Sequence, residues 1–314
     1  MRDLSEDVQL FSILSCELLA NKLTTRQEFR LRPIFSSLSL EFVQEGKILI
    51  TGCSSGIGRA TAIFLARQGM SVLATARRLE SLEGLKNYSN ITLAQLDVTS
   101  EEQCEQVVQK AGVITGLVNN AGYGMMGPSE EVARRGLRDQ FETNFFGLAR
   151  LCALVLPQMR ERGRGAIVNV GSIMGKLTAP MCGAYCASKY ALEAFSDTLR
   201  IELAPFGVKV VLIEPGPIDT KFKANVELKA VEALQDEKSP YFDMARKALR
   251  FYQHQGWPGA SPDRVARTIA KVLTRPKPRP RYVVTNRGRM AILFHQMVPD
   301  RIWDFLISKS FGLR

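Results

Sequence analysis

Seven short runs rich in β-branched and aliphatic residues, at 47–51, 71–76, 91–96, 116–120, 166–170, 208–213 and 281–285, punctuate this chain, and helix-like stretches separate most of them. The expected helices cover 57–68, 101–111, 139–162, 184–203 and 262–274. Strands that alternate with helices pair in parallel, and a parallel sheet needs helices over both faces to bury its apolar side chains. Right-handed crossovers then leave one economical solution, an α/β domain with a doubly wound, parallel, seven-stranded sheet and its ligand crevice at the carboxyl ends of the strands. A chain of 314 residues that is 46% hydrophobic can fill one such core.

The first crossover carries a second constraint. Residues 47–58 read Lys-Ile-Leu-Ile-Thr-Gly-Cys-Ser-Ser-Gly-Ile-Gly, a strand, a glycine-rich turn and the start of a helix. Glycines let backbone approach a pyrophosphate closely, and the helix offers it free N–H groups and the positive end of its dipole. The spacing Gly52-x-x-x-Gly56-x-Gly58 differs from the general G-x-G-x-x-G pattern. Further along, Tyr185 and Lys189 stand one turn apart on an expected helix. A fixed cation beside a phenol favours phenolate, so the pair suits proton transfer near neutral pH. A Tyr and a Lys at this spacing also occur on ordinary helix surfaces, and the decision between the two readings comes from the rest of the chain.

Thr51-Gly52-x-x-x-Gly56-x-Gly58, Asn119-Asn120-Ala121-Gly122, Asn144, Ser172, Tyr185-x-x-x-Lys189 and Pro215-Gly216 follow one another in the order and spacing of one family. Over residues 47–285 the chain resembles the short-chain dehydrogenase/reductases, and in Tyr-Cys-Ala-Ser-Lys and Glu-Pro-Gly-Pro their 17-beta-hydroxysteroid and retinol dehydrogenase branch with its bacterial aldehyde-reductase relatives. The resemblance implies a Rossmann domain and a catalytic tetrad of Asn144, Ser172, Tyr185 and Lys189. In it Tyr185 is the general acid/base, Ser172 holds the same substrate oxygen, Lys189 lowers the phenol pKa and binds the nicotinamide ribose, and Asn144 anchors a water that links Lys189 to solvent. It implies cofactor contacts from Gly52, Ser54, Ser55, Gly56, Ile57 and Gly58, from Asp97 and Val98 at the adenine, from Asn119, Ala121 and Gly122 along the adenosine ribose, from Tyr185 and Lys189, and from Pro215, Gly216, Ile218 and Thr220 at the nicotinamide carboxamide.

Cofactor choice is read at the end of the second strand, where Ala76-Arg77-Arg78 precedes any acid. An acid there would bind the ribose hydroxyls of NAD, whereas a guanidinium fork pairs with a 2′-phosphate, so Arg77 points to NADP(H), with Ser54 as helper. The alternative is that Arg77 and Arg78 are the solvated start of a helix. Met125, Met126, Met174, Leu177, Met181, Tyr241, Phe242 and Met244 come from segments expected at the pocket mouth, and Ser172, Met174, Met181 and Tyr185 are the expected substrate contacts. The stretch 221–260 is longer than a crossover needs and reads as a helical lid. A bulky lipophilic alcohol or carbonyl, such as a retinoid, steroid or long-chain aldehyde, fits these features.

Residues 1–45 are an N-terminal extension that reads as a disordered tail, a start codon set too far upstream or an organelle transit sequence. Its segment 8–23 is weakly amphipathic, but Asp3, Glu6 and Asp7 stand where a signal peptide is positive. The catalytic domain is expected at 46–285, and 286–314 as one C-terminal amphipathic helix. Six cysteines lack metal-site spacing and read as reduced thiols of a cytoplasmic protein, and no metal is expected. Cys186, beside Tyr185, reads as a packing residue rather than a nucleophile. A net charge of +11 invites a nucleic-acid reading, but the basic run from Arg275 to Arg289 has only Tyr282 among it as a stacking platform. That run beside an apolar, Trp-bearing segment fits a membrane surface or a lid, or else packing on the domain or at a dimer contact; a homodimer is what the resemblance implies. A cofactor-binding regulatory or structural protein on the same scaffold is the rival to an enzyme.

Overall fold

Seven strands form one sheet in the computed structural model, which describes residues 45–132, 136–220, 237–254 and 259–313. They are β1 (Lys47–Ile50), β2 (Val72–Ala76), β3 (Ile91–Gln95), β4 (Ile114–Asn119), β5 (Gly165–Val170), β6 (Val208–Glu214) and β7 (Arg281–Val283). Their order is β3-β2-β1-β4-β5-β6-β7, and every neighbouring pair is parallel. β2, β4 and β5 are buried along their whole length, as strands covered on both faces must be. The chain winds outward from β1 through β2 to β3 on one side and from β4 to β7 on the other. The two directions part between β1 and β4, which opens the crevice there.

Helices α1 (Gly56–Arg67), α2 (Glu101–Ala111), α3 (Gly136–Phe141), α4 (Gly147–Glu161), α5 (Gly183–Leu203), α6 (Phe242–His254), α7 (Pro262–Thr274), α8 (Asn286–Met297) and α9 (Asp300–Ser310) surround the sheet. Alternation along the strands sends Leu49, Leu117, Ile167 and Leu212 to one face, where they meet Val107, Leu151, Leu192 and Leu199 of α2, α4 and α5. Truncating Leu117 or Leu151 to alanine there would cost about 2 to 5 kcal/mol. On the other face α1 packs against α7. Gly116 lets α7 approach, since a Cβ at that position would stand 3.1 Å from Leu273.

The structure corrects two expectations. The helix expected at 139–162 is interrupted by a π-type turn at Glu142–Phe146, with Asn144 buried inside it; such turns widen a helix by one residue and often lie at functional sites. The single helix expected at 286–314 is two helices, α8 and α9. Val298 and Pro299 between them are extended, because a proline disfavours helical backbone in the residue before it. Of the expected lid, α6 is helical, whereas 221–236 and 255–258 lie outside the described residues, as does the extension 1–44. No helix among the described residues is long and apolar enough to cross a membrane. No group of three or more His, Cys, Asp or Glu among them could hold a metal ion.

Candidate active site

The turn after β1 is built for a bulky anion. Gly52 and Gly56 have φ of 73° and 58°, which side-chain-bearing residues rarely adopt. A Cβ at Gly58 would stand 2.4 Å from the Gly52 carbonyl oxygen, so only glycine lets α1 start so close to the turn. Three helices among the described residues are capped in the usual way, the Ser100, Ser261 and Thr285 hydroxyls accepting backbone N–H groups at the starts of α2, α7 and α8. α1 has no side-chain cap hydrogen bond and no acid in its first turn, so its N–H groups and dipole are left to an anion. Ser54 is exposed and Ser55 and Ile57 half-buried around that end. Thr220 closes over it, its methyl 3.2 Å from where a Gly56 Cβ would be. These features fit a dinucleotide pyrophosphate.

Neighbouring elements hold the turn in place. The Thr51 hydroxyl accepts from Asn120 N and Ala121 N at 2.9 Å each, and Asn120 Nδ2 donates to the carbonyls of Thr51 at 2.9 Å and Gly52 at 3.2 Å. Sequence reasoning had put Asn119 rather than Asn120 at the cofactor. The Asn119 side chain points instead into the core, donating to Asn169 Oδ1 at 2.9 Å, because successive residues of a strand face opposite ways. Asp97 accepts from Thr99 N at 3.0 Å and Thr99 Oγ1 at 2.8 Å. Val98 is buried, with its backbone against Gly147. Arg77 and Arg78 are exposed just beyond β2; burial, then Asp139, push the Tyr123 phenol up, against the pull of Arg77.

The residues expected to be catalytic converge from the end of β5, the π-type turn and α5. Ser172 lies two residues beyond β5, buried, and accepts from Met174 N at 3.1 Å. Its hydroxyl also hydrogen-bonds the Tyr185 hydroxyl. Lys189 Nζ sits 5.7 Å from the Tyr185 ring centroid and donates to the Val170 carbonyl at 2.9 Å. Burial pulls Lys189 down to about 8. Burial also pushes the Tyr185 phenol well above its ordinary value, with the Ser172 hydrogen bond opposing. Desolvation is the largest cause of both shifts.

Asn144 clamps the chain after β4. Its Oδ1 accepts from Tyr123 N at 3.1 Å, and its Nδ2 donates to Tyr123 O at 3.0 Å and to Ser188 Oγ at 3.2 Å. Ser188 in turn donates to the Tyr185 carbonyl at 2.7 Å, which ties the clamp to α5. Gly122 lets this happen, since a Cβ there would lie 3.0 Å from Asn144 Oδ1. Tyr123 and Ser188 were not among the sequence candidates, and only their neighbourhood to Asn144 reveals them. The Pro215 carbonyl accepts from Ile173 N at 3.0 Å, which joins the Pro215 loop to the Ser172 turn. Gly216 abuts Thr285, and Ile218 bridges to Ala260.

Beside Tyr185 lies an apolar cluster of Met126, Met181, Cys182, Cys186, Ala245, Ala248 and Phe311, flanked by Met174, Tyr241, Met244, Phe251 and Tyr252. Met181 belongs to this cluster and Met174 packs against it. Phe251, Tyr252 and Phe311, which sequence reasoning does not single out, are part of the same packing; Phe251 and Phe311 stack at 4.0 Å, and Cys182 Sγ lies 3.3 Å from Tyr252 Oη. Met181 holds a positive φ of 65° while its carbonyl accepts from Gly127 N at 2.8 Å, a strained backbone at the mouth. Burial raises the Cys186 thiol, which suits packing rather than nucleophilic attack.

Residues 46–230 match a family model described as short chain dehydrogenase. The chain is 37% identical to the uncharacterized oxidoreductase YbbO of Escherichia coli K12 over 271 residues, 85% of this chain and 95% of that protein. It is 38% identical to retinol dehydrogenase 8 of Bos taurus over 271 residues, covering 81% and 86%. Among solved structures, a short-chain dehydrogenase from Streptomyces avermitilis is 35% identical with a TM-score of 0.70, covering 83% of this chain and 95% of that one.

Proposed function

Because the chain belongs to the short-chain dehydrogenase/reductase family and is an oxidoreductase of that kind, we propose that it interconverts an alcohol and a carbonyl on a lipophilic substrate with NADP(H). The observation that carries this reading is the Ser172–Tyr185 hydroxyl pair set beside the glycine turn and under an apolar cluster. A bound nicotinamide would supply or take up the hydride. Tyr185 then gives its proton to the carbonyl oxygen in reduction and recovers it in oxidation, while Ser172 holds that oxygen as its charge develops. Lys189, one turn away, replenishes the phenol and holds the ribose. Asn144 keeps α5 and the chain after β4 in register around them. The pyrophosphate would lie on Gly52, Gly56 and Gly58 at the start of α1, with Arg77 on the 2′-phosphate and Pro215, Gly216, Ile218 and Thr220 against the carboxamide.

The apolar cluster, and the name of the retinol dehydrogenase relative, favour a retinoid, steroid or long-chain aldehyde over a hydroxy acid. Two surfaces extend the reading. Phe146, Tyr190 and Ile201, all exposed and all on or beside α4 and α5, suit a homodimer through the two long helices. On α8, Met290, Leu293, Phe294 and Met297 follow i, i+3, i+4, i+7 spacing and are 44 to 69% exposed, with exposed Arg287 and Arg289 one turn earlier. An apolar stripe that faces outward beside arginines suits peripheral contact with an anionic membrane.

Purified protein assayed with NADPH or NADH against retinal, a long-chain aldehyde, a steroid ketone and a short aldehyde tests the reading. Turnover is expected with NADPH and the bulky apolar compounds. Cofactor binding without turnover of any of them would favour the regulatory role.

A further inference from the structure

Where the Tyr185 helix meets the end of β6, two carboxylic side chains are buried together. Glu193 on α5 is one turn beyond Lys189, and Glu214 is the last residue of β6, directly before Pro215; their side chains are 6% and 2% exposed. Glu193 Oε2 pairs with Lys176 Nζ at 2.8 Å and with Arg281 Nε at 3.0 Å. Arg281 Nε also stands 3.5 Å from Glu214 Oε1 and its Nη2 pairs with Asp197, which Arg200 flanks at 3.0 Å. Beyond that long Arg281 contact, Oε1 of each carboxyl is buried with no hydrogen-bond partner among the described residues, and burial and the Glu193 charge both raise Glu214. Two carboxylates held by the same Arg281 would leave both of these oxygens unsatisfied, whereas a proton shared between them satisfies both.

Each member of this group belongs to a different part of the site. Lys176 ends the turn that begins at Ser172, Glu193 belongs to the helix of Tyr185 and Lys189, Glu214 leads into the Pro215 loop, and Arg281 opens β7. Gly175 packs directly on Glu193, since a Cβ there would stand 3.0 Å from its Cγ and 3.0 Å from the Lys189 carbonyl.

We infer that Glu193 and Glu214 are positioning residues, a proton-sharing pair that holds the Ser172 turn, the Tyr185 helix and the Pro215 loop in one register. The roles of those elements rest on the proposed function; the shared proton does not. Burial, then the Glu193 charge, hold Glu214 up at about 8 against the pull of Arg281 and Lys176. A raised acid stabilises the fold fully below its ordinary 4.5, and that stability drains as pH rises to about 8. Lys189, depressed from 10.5 to about 8, acts in the separate window above 8, where its effect on stability has the opposite sign.

Glu214→Gln keeps a neutral hydrogen-bonding group at every pH. Infrared difference spectra of the whole protein at pH 6 should show a protonated-carboxyl band that this variant lacks. The variant's Tm should gain on wild type between pH 5 and 8. The ratio of its kcat to that of wild type should rise by about threefold or more from pH 6 to 8.5. Glu193→Ala, which breaks the Lys176 and Arg281 pairs, should lower kcat and weaken NADPH binding by about tenfold each. No lost band, or parallel pH curves, overturns the shared proton; an unchanged kcat and NADPH affinity in Glu193→Ala overturns the positioning role. Should wild type turn over no substrate, the enzyme reading fails, while the infrared, Tm and NADPH-binding arms still decide this one.

Discussion

Tyr185 and Lys189 are both pushed toward their neutral forms by burial, so the proton transfer proposed for them begins from a reluctant acid and a weakened base. Removing only the phenolic oxygen, in Tyr185→Phe, should lower kcat by at least about 100-fold, with NADPH binding by fluorescence titration near wild type; more than a tenth of wild-type kcat would remove Tyr185 from the chemistry. Lys189 carries a pH signature in stability. Its pKa is lowered from 10.5 to about 8, so below 8 the folded protein bears the full desolvation penalty of a buried ammonium, and between 8 and 10.5 the folded state binds fewer protons than the unfolded one. Stability attributable to this residue therefore rises with pH across that window. Lys189→Met should lose activity yet raise Tm at pH 7, by a margin that shrinks toward pH 10; a margin independent of pH would mean that the ammonium is not desolvated as described. At the other end of the crevice, Arg77→Asp should reduce kcat/KM for NADPH by about 10- to 150-fold and spare NADH, through loss of a charge-assisted contact and added repulsion. A wild-type preference for NADH would sink that assignment.

At the scale of elements, α6 and α9 form the roof of the apolar cluster. Phe311 packs on Phe251 and Tyr252, and Ile307 and Leu313 pack against the same cluster as Met181, Cys182 and Cys186. Every strand ends before Thr285, so truncation after Thr285 should leave the sheet folded, with retained circular dichroism and a modest fall in Tm. KM for a long-chain aldehyde should rise about tenfold or more, as each buried methylene is worth roughly 0.8 kcal/mol, while KM for NADPH stays within a few-fold. Equal losses toward short and long aldehydes, with a collapsed Tm, would make α8 and α9 ordinary packing helices.

For the molecule as a whole, the outward stripe of α8 and the net charge of +11 act together. Flotation with vesicles containing anionic lipid should recover the protein at low salt and release it as salt is added, because exposed charges are screened beyond roughly 8 to 10 Å at physiological ionic strength. Leu293→Asp with Phe294→Asp should abolish flotation without changing turnover of a soluble aldehyde. If the double variant instead shifts the sedimentation of the protein and leaves flotation intact, the stripe is a contact between copies of the chain.

The order of runs and helices sufficed to read the parallel sheet, since the side-chain periods of strands and helices are local properties of the chain. The glycine turn and the Ser172, Tyr185 and Lys189 positions were legible because a short motif fixes its own backbone. What lay beyond reach depended on which distant segments meet. The direction of Asn119 against Asn120 follows from strand phase, the break at Pro299 from a single residue, and the Tyr123–Asn144–Ser188 clamp from a π-type turn that shifts one side chain inward. Burial decided the rest. Only the packed structure puts Glu193, Glu214 and Arg281 together from α5, β6 and β7, and only desolvation, which no linear pattern encodes, makes Lys189 a weaker base and Tyr185 a weaker acid than their side chains are in water.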